Sequence, residues 1–192
     1  MNYKESKQYR LPGYNYARAG LYFVTICTKD HEMFFGEVVG GQMVLSEIGE
    51  IANECWLAIP KHFPHVKLYE HIIMPNHVHG ILQIDWESCR DFRDMEHLGV
   101  GTQNFVFLQN QNPDTMDVQN KFGPQSKNLS SIIRGFKIGV KEWVTINNDN
   151  FIWQPRFRDT IIRDEKSLYN FRKYIRNNPR NWELDHNNPD FL

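Results

Sequence analysis

Met74-Pro75-Asn76-His77-Val78-His79-Gly80, directly after the apolar, β-branched run His71-Ile72-Ile73, is the stretch on which the fold of this chain turns. In a strand, successive side chains alternate faces, so His77 and His79 project together on one side and Val78 on the other. Two imidazoles on one pleat form a rigid base from which a divalent metal can be held. The same period-two spacing also describes the polar face of any half-buried strand, so the pair alone does not establish a site.

A second constellation lies about a hundred residues downstream, in Tyr169-Asn170-Phe171-Arg172-Lys173-Tyr174-Ile175-Arg176-Asn177-Asn178-Pro179. Asp164 can cap a helix here, and Glu165 favours the positive end of its dipole. Leu168, Phe171 and Ile175 recur at helical spacing and are expected to face the core. Pro179 ends the run, because it lacks a backbone N–H and restricts the residue before it. Tyr174 and Asn178 are four apart and share one helix face. A phenol thereby sits one turn from a carboxamide oxygen. On the helix alone, Tyr174 reads as a boundary aromatic with a wet hydroxyl.

Taken together, these residues resemble the single-tyrosine HUH transposases, which act on single-stranded DNA in bacterial insertion sequences and REP-associated elements (repetitive extragenic palindromes). The resemblance covers most of the chain. Arg10-Leu11-Pro12-Gly13-Tyr14 followed by Gly20-Leu21-Tyr22-Phe23-Val24-Thr25 is similar to the opening of the REP-associated branch. Met74 to Gly80 matches the metal motif, and Trp153-Gln154 through Arg163 resembles the stretch before the tyrosine helix. Tyr174-Ile175-Arg176-Asn177-Asn178-Pro179 matches the nucleophile motif.

The resemblance implies a fold: an α+β, ferredoxin-like sandwich whose central antiparallel sheet carries the His-x-His strand, with helices on its faces. It also implies a metal-dependent single-stranded DNA endonuclease and strand transferase that cuts beside hairpins. Tyr174 would attack in line and leave a covalent 5′-phosphotyrosine. His77, His79 and Asn178 would hold one Mg²⁺ or Mn²⁺, a choice consistent with mixed imidazole and oxygen donors. Many members carry Gln where this chain has Asn178, which is one methylene shorter; Asn177 is the substitute, on a different side of the helix. The implied partner is single-stranded DNA with a palindromic hairpin. Insertion-sequence enzymes work as dimers that exchange tyrosine helices and REP-associated relatives can act as monomers, so monomer and homodimer both stay open.

Charge supports a nucleic-acid partner only through its distribution. The formal net charge is −1, but residues 127–180 hold twelve Lys or Arg against five Asp or Glu, a net of +7, leaving −8 on the remainder. Arg134, Lys137 and Lys141 fall off the apolar face of one helix, and Arg156 and Arg158 precede the tyrosine helix. Arg172, Lys173 and Arg176 surround Tyr174. Such a cluster suits phosphate positioning, although a solvated helix face accounts for most charge runs.

The 192 residues suffice for one well-buried core, and a single domain spanning 1–192 is expected. Cys27, Cys55 and Cys89 are widely spaced without a Cys-x-x-Cys pair and read as reduced thiols of a cytoplasmic protein. No apolar stretch approaches the ~20 residues of a membrane span, so no membrane partner is expected. Strands are expected at Leu21–Thr28, Phe34–Val39, Gln42–Leu45, Val66–Ile73, His77–Ile84 and Phe157–Ile162, the second and third joined through Gly40-Gly41. Ser46 caps a helix with the stripe Ile48, Ile51, Ala52 and Cys55, broken by Pro60 and Pro64. Leu129, Ile132, Ile133, Phe136, Val140 and Trp143 mark a long helix.

Residues 86–127 show no sustained period and read as an insertion. The tail, 181–192, reads as an extended segment packed by Trp182 and Phe191, of a kind that can cover an active site. Two other function classes compete. A catalytically silent hairpin-binding descendant of a transposase is opposed by intact His77, His79 and Tyr174. A ferredoxin-like RNA-binding module would have no use for a histidine pair beside a late tyrosine, and an unrelated metallohydrolase lacks a His-Glu-x-x-His cluster.

Overall fold

The computed structural model describes residues 19–85, 128–147 and 150–191. The opening Arg10–Tyr14, the insertion 86–127 and Cys89 lie outside the described residues. Four strands form the main antiparallel sheet: β1 (Gly20–Cys27), β4 (Val66–Met74), β5 (His77–Ile84) and β6 (Arg158–Ile162), in the order β4-β5-β1-β6. The short strands β2 (Gly36–Val39) and β3 (Gln42–Leu45) make a separate ribbon around Gly40-Gly41, both at positive φ. Helix α1 (Glu47–Leu57) follows β3, and α3 (Leu129–Ile146) precedes β6. Between α1 and β4 lies the short α2 (Ile59–His62), which begins at a kink where Pro60 occupies the first turn. Setting the ribbon aside, the chain runs strand, helix, two strands, helix, strand, with the first and third strands central. This is the ferredoxin-like arrangement that the family resemblance implies.

Alternation decides which side each residue serves. Tyr22, Val24, Ile26, Val78, Leu82 and Ile84 pack with α1 and α3 into the larger core. Phe23, Ile81 and Ile162 point the other way, under α4 (Glu165–Asn177), which supplies Ile175, Phe171 and Leu168. Gly80 belongs to the first side and has no room for a side chain: a Cβ there would lie 2.1 Å from a ring carbon of buried Trp56. Both long helices begin on a side-chain cap. Asn128 and Ser131 form a reciprocal capping box at α3, and Asp164 accepts the Ser167 backbone N–H at α4.

A β-bulge between Leu68 and His71 interrupts the β4–β5 ladder. An extra residue shifts the alternation, so Tyr69 and Glu70 both reach the α4 side. There Glu70 pairs with Arg172 and Arg176 of α4, and the Arg172 guanidinium lies over the Tyr69 ring. The tail differs from the extended segment expected. Pro179–Leu184 form a 3₁₀ helix, and the turns that follow bring Asp185 and Asn188 into buried positions. Pro179 stops α4 but starts this tighter helix, since Pro is accommodated where no N–H is required. Among the described residues no helix is long and apolar enough to cross a membrane.

Candidate metal and nucleophile site

The sheet register places His77 opposite Cys27 and His79 opposite Thr25, on the side covered by α4. Both imidazoles are buried, their ring centroids 4.4 Å apart. Hydrogen bonds orient each ring. Nδ1 of His77 lies 2.8 Å from the Asn76 side-chain oxygen, which can only accept, so Nδ1 carries the proton and Nε2 a lone pair. The Asn76 amide nitrogen confirms that orientation by donating to the His31 and Asn187 carbonyls. Nδ1 of His79 lies 2.9 Å from Thr25 Oγ1, which leaves Nε2 facing α4. Burial holds the His77 imidazole down at about 3, with the neighbouring His31 adding to the effect. Burial likewise keeps His79 well below the usual range, with His77 contributing. Both rings are therefore neutral and able to act as ligands at neutral pH.

Helix α4 is docked by stacked rings: Phe171 lies on Phe23 at 4.4 Å, and Phe23 on His79 at 5.2 Å. This brings the Tyr174 hydroxyl to 3.1 Å from His79 Nε2. One turn later, buried Asn178 donates from its amide nitrogen to Asp185 Oδ2 at 2.9 Å. The same carboxylate oxygen lies 3.5 Å from the Tyr174 hydroxyl. Burial first, and the Asp185 charge second, push the phenol up to about 12.

Three predicted ligands thus converge: His77, His79 and Asn178 surround one spot beside Tyr174. Sequence reasoning missed Asp185. Ligand atoms of His77, His79 and Asp185 all lie within 4.8 Å of one another, and all three residues are buried. Two atoms here, His77 Nε2 and Asn178 Oδ1, are buried acceptors with no hydrogen-bond partner among the described residues. Orphaned acceptors on converging side chains fit a divalent cation, which would supply what no donor among the described residues does. Asn177 sits on α4 outside this cluster. Asn76 was also unassigned, although it stands inside the histidine motif.

The predicted DNA contacts divide into groups. Arg172 Nε and Arg176 share Glu70, at 2.7 and 2.5 Å, whereas Lys173 is exposed. Lys137 donates to the carbonyls of Gln154 and Arg156, and Lys141 to that of Phe151. These two lysines fasten the 150–157 segment to α3. Arg134 is exposed on α3, Arg156 on that segment and Arg158 at the start of β6. A cavity of about 410 Å³ opens in front of Tyr174, walled by Phe171, Asn170, Arg158, His186 and Asn187 among others.

No protein-family model matches the chain. It is 38% identical over 177 residues to an uncharacterized protein of Haemophilus influenzae, covering 92% of this chain and 89% of that one. Among solved structures, it is similar to a REP-associated tyrosine transposase bound to a REP hairpin, with a TM-score of 0.56 and 16% identity, covering 94% of this chain and 76% of the other.

Proposed function

Since the chain belongs to one family with the Haemophilus influenzae protein and is related in fold to the REP-associated tyrosine transposases, we propose that it is a metal-dependent single-stranded DNA endonuclease and strand transferase. It cuts beside DNA hairpins through a covalent 5′-phosphotyrosine at Tyr174. The observation that carries this reading is the meeting of a phenol with His79 Nε2 at 3.1 Å, beside two orphaned ligand atoms.

His77, His79, Asn178 and Asp185 would hold the ion, Mg²⁺ or Mn²⁺ by their mixture of imidazole and oxygen donors. When bound, such an ion neutralises charge on the phosphoryl oxygens and polarises the scissile phosphate. The chain's own residues do the rest. Asn76 holds His77 in the tautomer that presents Nε2, and Thr25 holds the His79 ring with its Nε2 toward Tyr174. Tyr174 is neutral at neutral pH, so its proton needs an acceptor as the oxygen attacks; with His79 Nε2 given to the ion, Asp185 Oδ2 is the acceptor in reach. The phenolic oxygen bonds to phosphorus, the bond from phosphorus to the 3′ oxygen breaks, and that oxygen leaves and takes up a proton. The tyrosine retains the 5′-phosphate. Because the new ester conserves the phosphodiester linkage, a 3′-hydroxyl can later rejoin without ATP.

Lys173 and Arg158, both beside the cavity or on the nucleophile's helix, suit phosphate contacts; Arg172 and Arg176 serve first to set α4 on the sheet. Incubation with single-stranded hairpin oligonucleotides in Mn²⁺, read by denaturing gel and intact mass, tests the reading. An adduct of protein plus oligonucleotide is expected, lost with EDTA and in Tyr174→Phe. Cleavage that survives Tyr174→Phe would transfer the role to exposed Tyr169 or to water. Salt-sensitive hairpin binding without any adduct would leave a silent DNA-binding protein.

A further inference from the structure

Three depressions run in series from the nucleophile round the edge of the sheet. Thr25, Arg158 and Asn187 wall the cavity in front of Tyr174, and the same three wall a narrow second depression of about 40 Å³. That second depression ends at Arg156 and Phe157, which in turn bound a third of about 380 Å³ against α3. Arg134 and the half-buried ring of Trp153 form its other walls. Because β6 is an edge strand, the series passes from the α4 side of the sheet to the α3 side without crossing the core.

Among the described residues, the walls of the second and third depressions hold five Lys or Arg and no acidic residue. Arg156, at their junction, has φ of 68°, a left-handed backbone that disfavours side chains other than glycine. Lys137 holds it there by donating to its carbonyl, and stands over the Trp153 ring at 5.5 Å. The indole N–H donates to the Lys137 carbonyl at 3.0 Å, which fixes the ring's orientation. A non-glycine residue persists in this conformation only where its surroundings hold it, so the Arg156 side chain leaves the backbone from a fixed position.

We propose that this trough carries the single-stranded flank of the DNA, from the phosphate at Tyr174 past Arg158 and Arg156 to the Trp153–Phe157 cavity. The narrow middle admits a sugar-phosphate backbone between two wider ends that admit bases. A duplex could not follow it round the sheet edge. Aromatic rings and arginines are the groups that hold unpaired nucleotides without base pairing. The inference rests on the transposase reading but is separable from it.

The test is fluorescence anisotropy with two hairpin oligonucleotides that differ only in the length of the single-stranded flank, titrated across salt. Wild type is expected to bind the long-flank probe more tightly. In Arg134→Ala and in Arg156→Gly that advantage shrinks by about 5-fold or more, and the salt slope falls by about one phosphate contact. Glycine adopts the backbone of Arg156 freely, so Arg156→Gly removes the side chain without disturbing the segment. Iodouracil in the long flank is expected to photo-crosslink to peptides containing Trp153 or Phe157. Equal affinity for both probes in wild type, an undiminished advantage in both variants, or crosslinks confined elsewhere would overturn the trough. Adduct formation at Tyr174 with no flank effect sinks the trough alone. A flank effect with no adduct sinks the transposase reading and keeps the trough.

Discussion

The hydroxyl of Tyr174 and Nε2 of His79, 95 residues apart in sequence, lie 3.1 Å from each other. His79 has its other ring nitrogen on Thr25, so Nε2 is the ring atom left for both a phenol and a cation, and a cation needs its lone pair. One lone pair cannot serve both. Tyr174→Phe is therefore expected to abolish the covalent adduct yet bind Mn²⁺ about 2- to 10-fold more tightly, the worth of one ordinary hydrogen bond. Isothermal titration checks this. Weaker binding in the variant would make the phenol itself a ligand.

Asp185→Asn keeps the shape of a buried side chain and removes its charge. A lower Mn²⁺ affinity is expected, by at least about 10-fold, with hairpin binding in EDTA little altered. Equal metal affinity would restrict Asp185 to accepting hydrogen bonds from Asn178 and Asn187.

Asn76 joins the histidine strand to the tail, since its amide reaches the Asn187 carbonyl at 2.6 Å while its oxygen orients His77. Asn76→Ala is expected to weaken Mn²⁺ binding about 10- to 100-fold, as loss of a ligand's orienting partner does. It also leaves buried polar groups unpaired, at about 1–3 kcal/mol in urea denaturation. Limited proteolysis would show the tail cut sooner than in wild type.

Gly80→Ala pushes a methyl into the Trp56 ring, whose position is set by the surrounding core. A loss of roughly 1–3 kcal/mol is expected from overpacking, read from the denaturation midpoint. An unchanged midpoint would mean that Trp56 has a second place to go.

Glu70 gives a pH-dependent contribution. Burial raises its pKa, but its backbone hydrogen bond and the two arginines outweigh that and set it below the ordinary 4.5. A carboxylate depressed on folding stabilises above its unfolded pKa, and that contribution disappears as pH falls through the folded value. Its arginine partners are partly exposed, so the effect is modest, about 1 kcal/mol or less. Wild type and Glu70→Gln should differ at pH 7 and converge below the carboxylate range. Parallel curves would show that the pair contributes nothing.

The elements themselves were largely legible. Period-two runs located β1, β4, β5 and β6 to within a residue or two, because one side of each is packed by apolar neighbours. Tyr174 and Asn178 were legible as neighbours because a helix spaces them one turn apart. Asp185 was not, since an isolated Asp in a tail has no periodic context; it reaches the site only through the 3₁₀ helix at 179–184. Glu70 stayed hidden because a bulge breaks the alternation on which strand reading depends. Lys137 and Lys141 show the limit of counting charge. Their position off the apolar face was read correctly, but a long ammonium stem can turn back to a carbonyl, and both do.

The facing of His79 with Thr25, and of Val78 with Ile26, has a bearing on errors of assembly. Were β5 to pair one residue out of step, both imidazoles would enter the apolar core, and Val78 and Gly80 would face Tyr174. The Trp56 ring would then meet a side chain where it now lies against Gly80. A misaligned sheet is thus penalised on both sides at once. Molecules that pass this check to a packed core have, by the same act, set both imidazoles beside Tyr174, so well-folded forms with a scrambled site should be scarce.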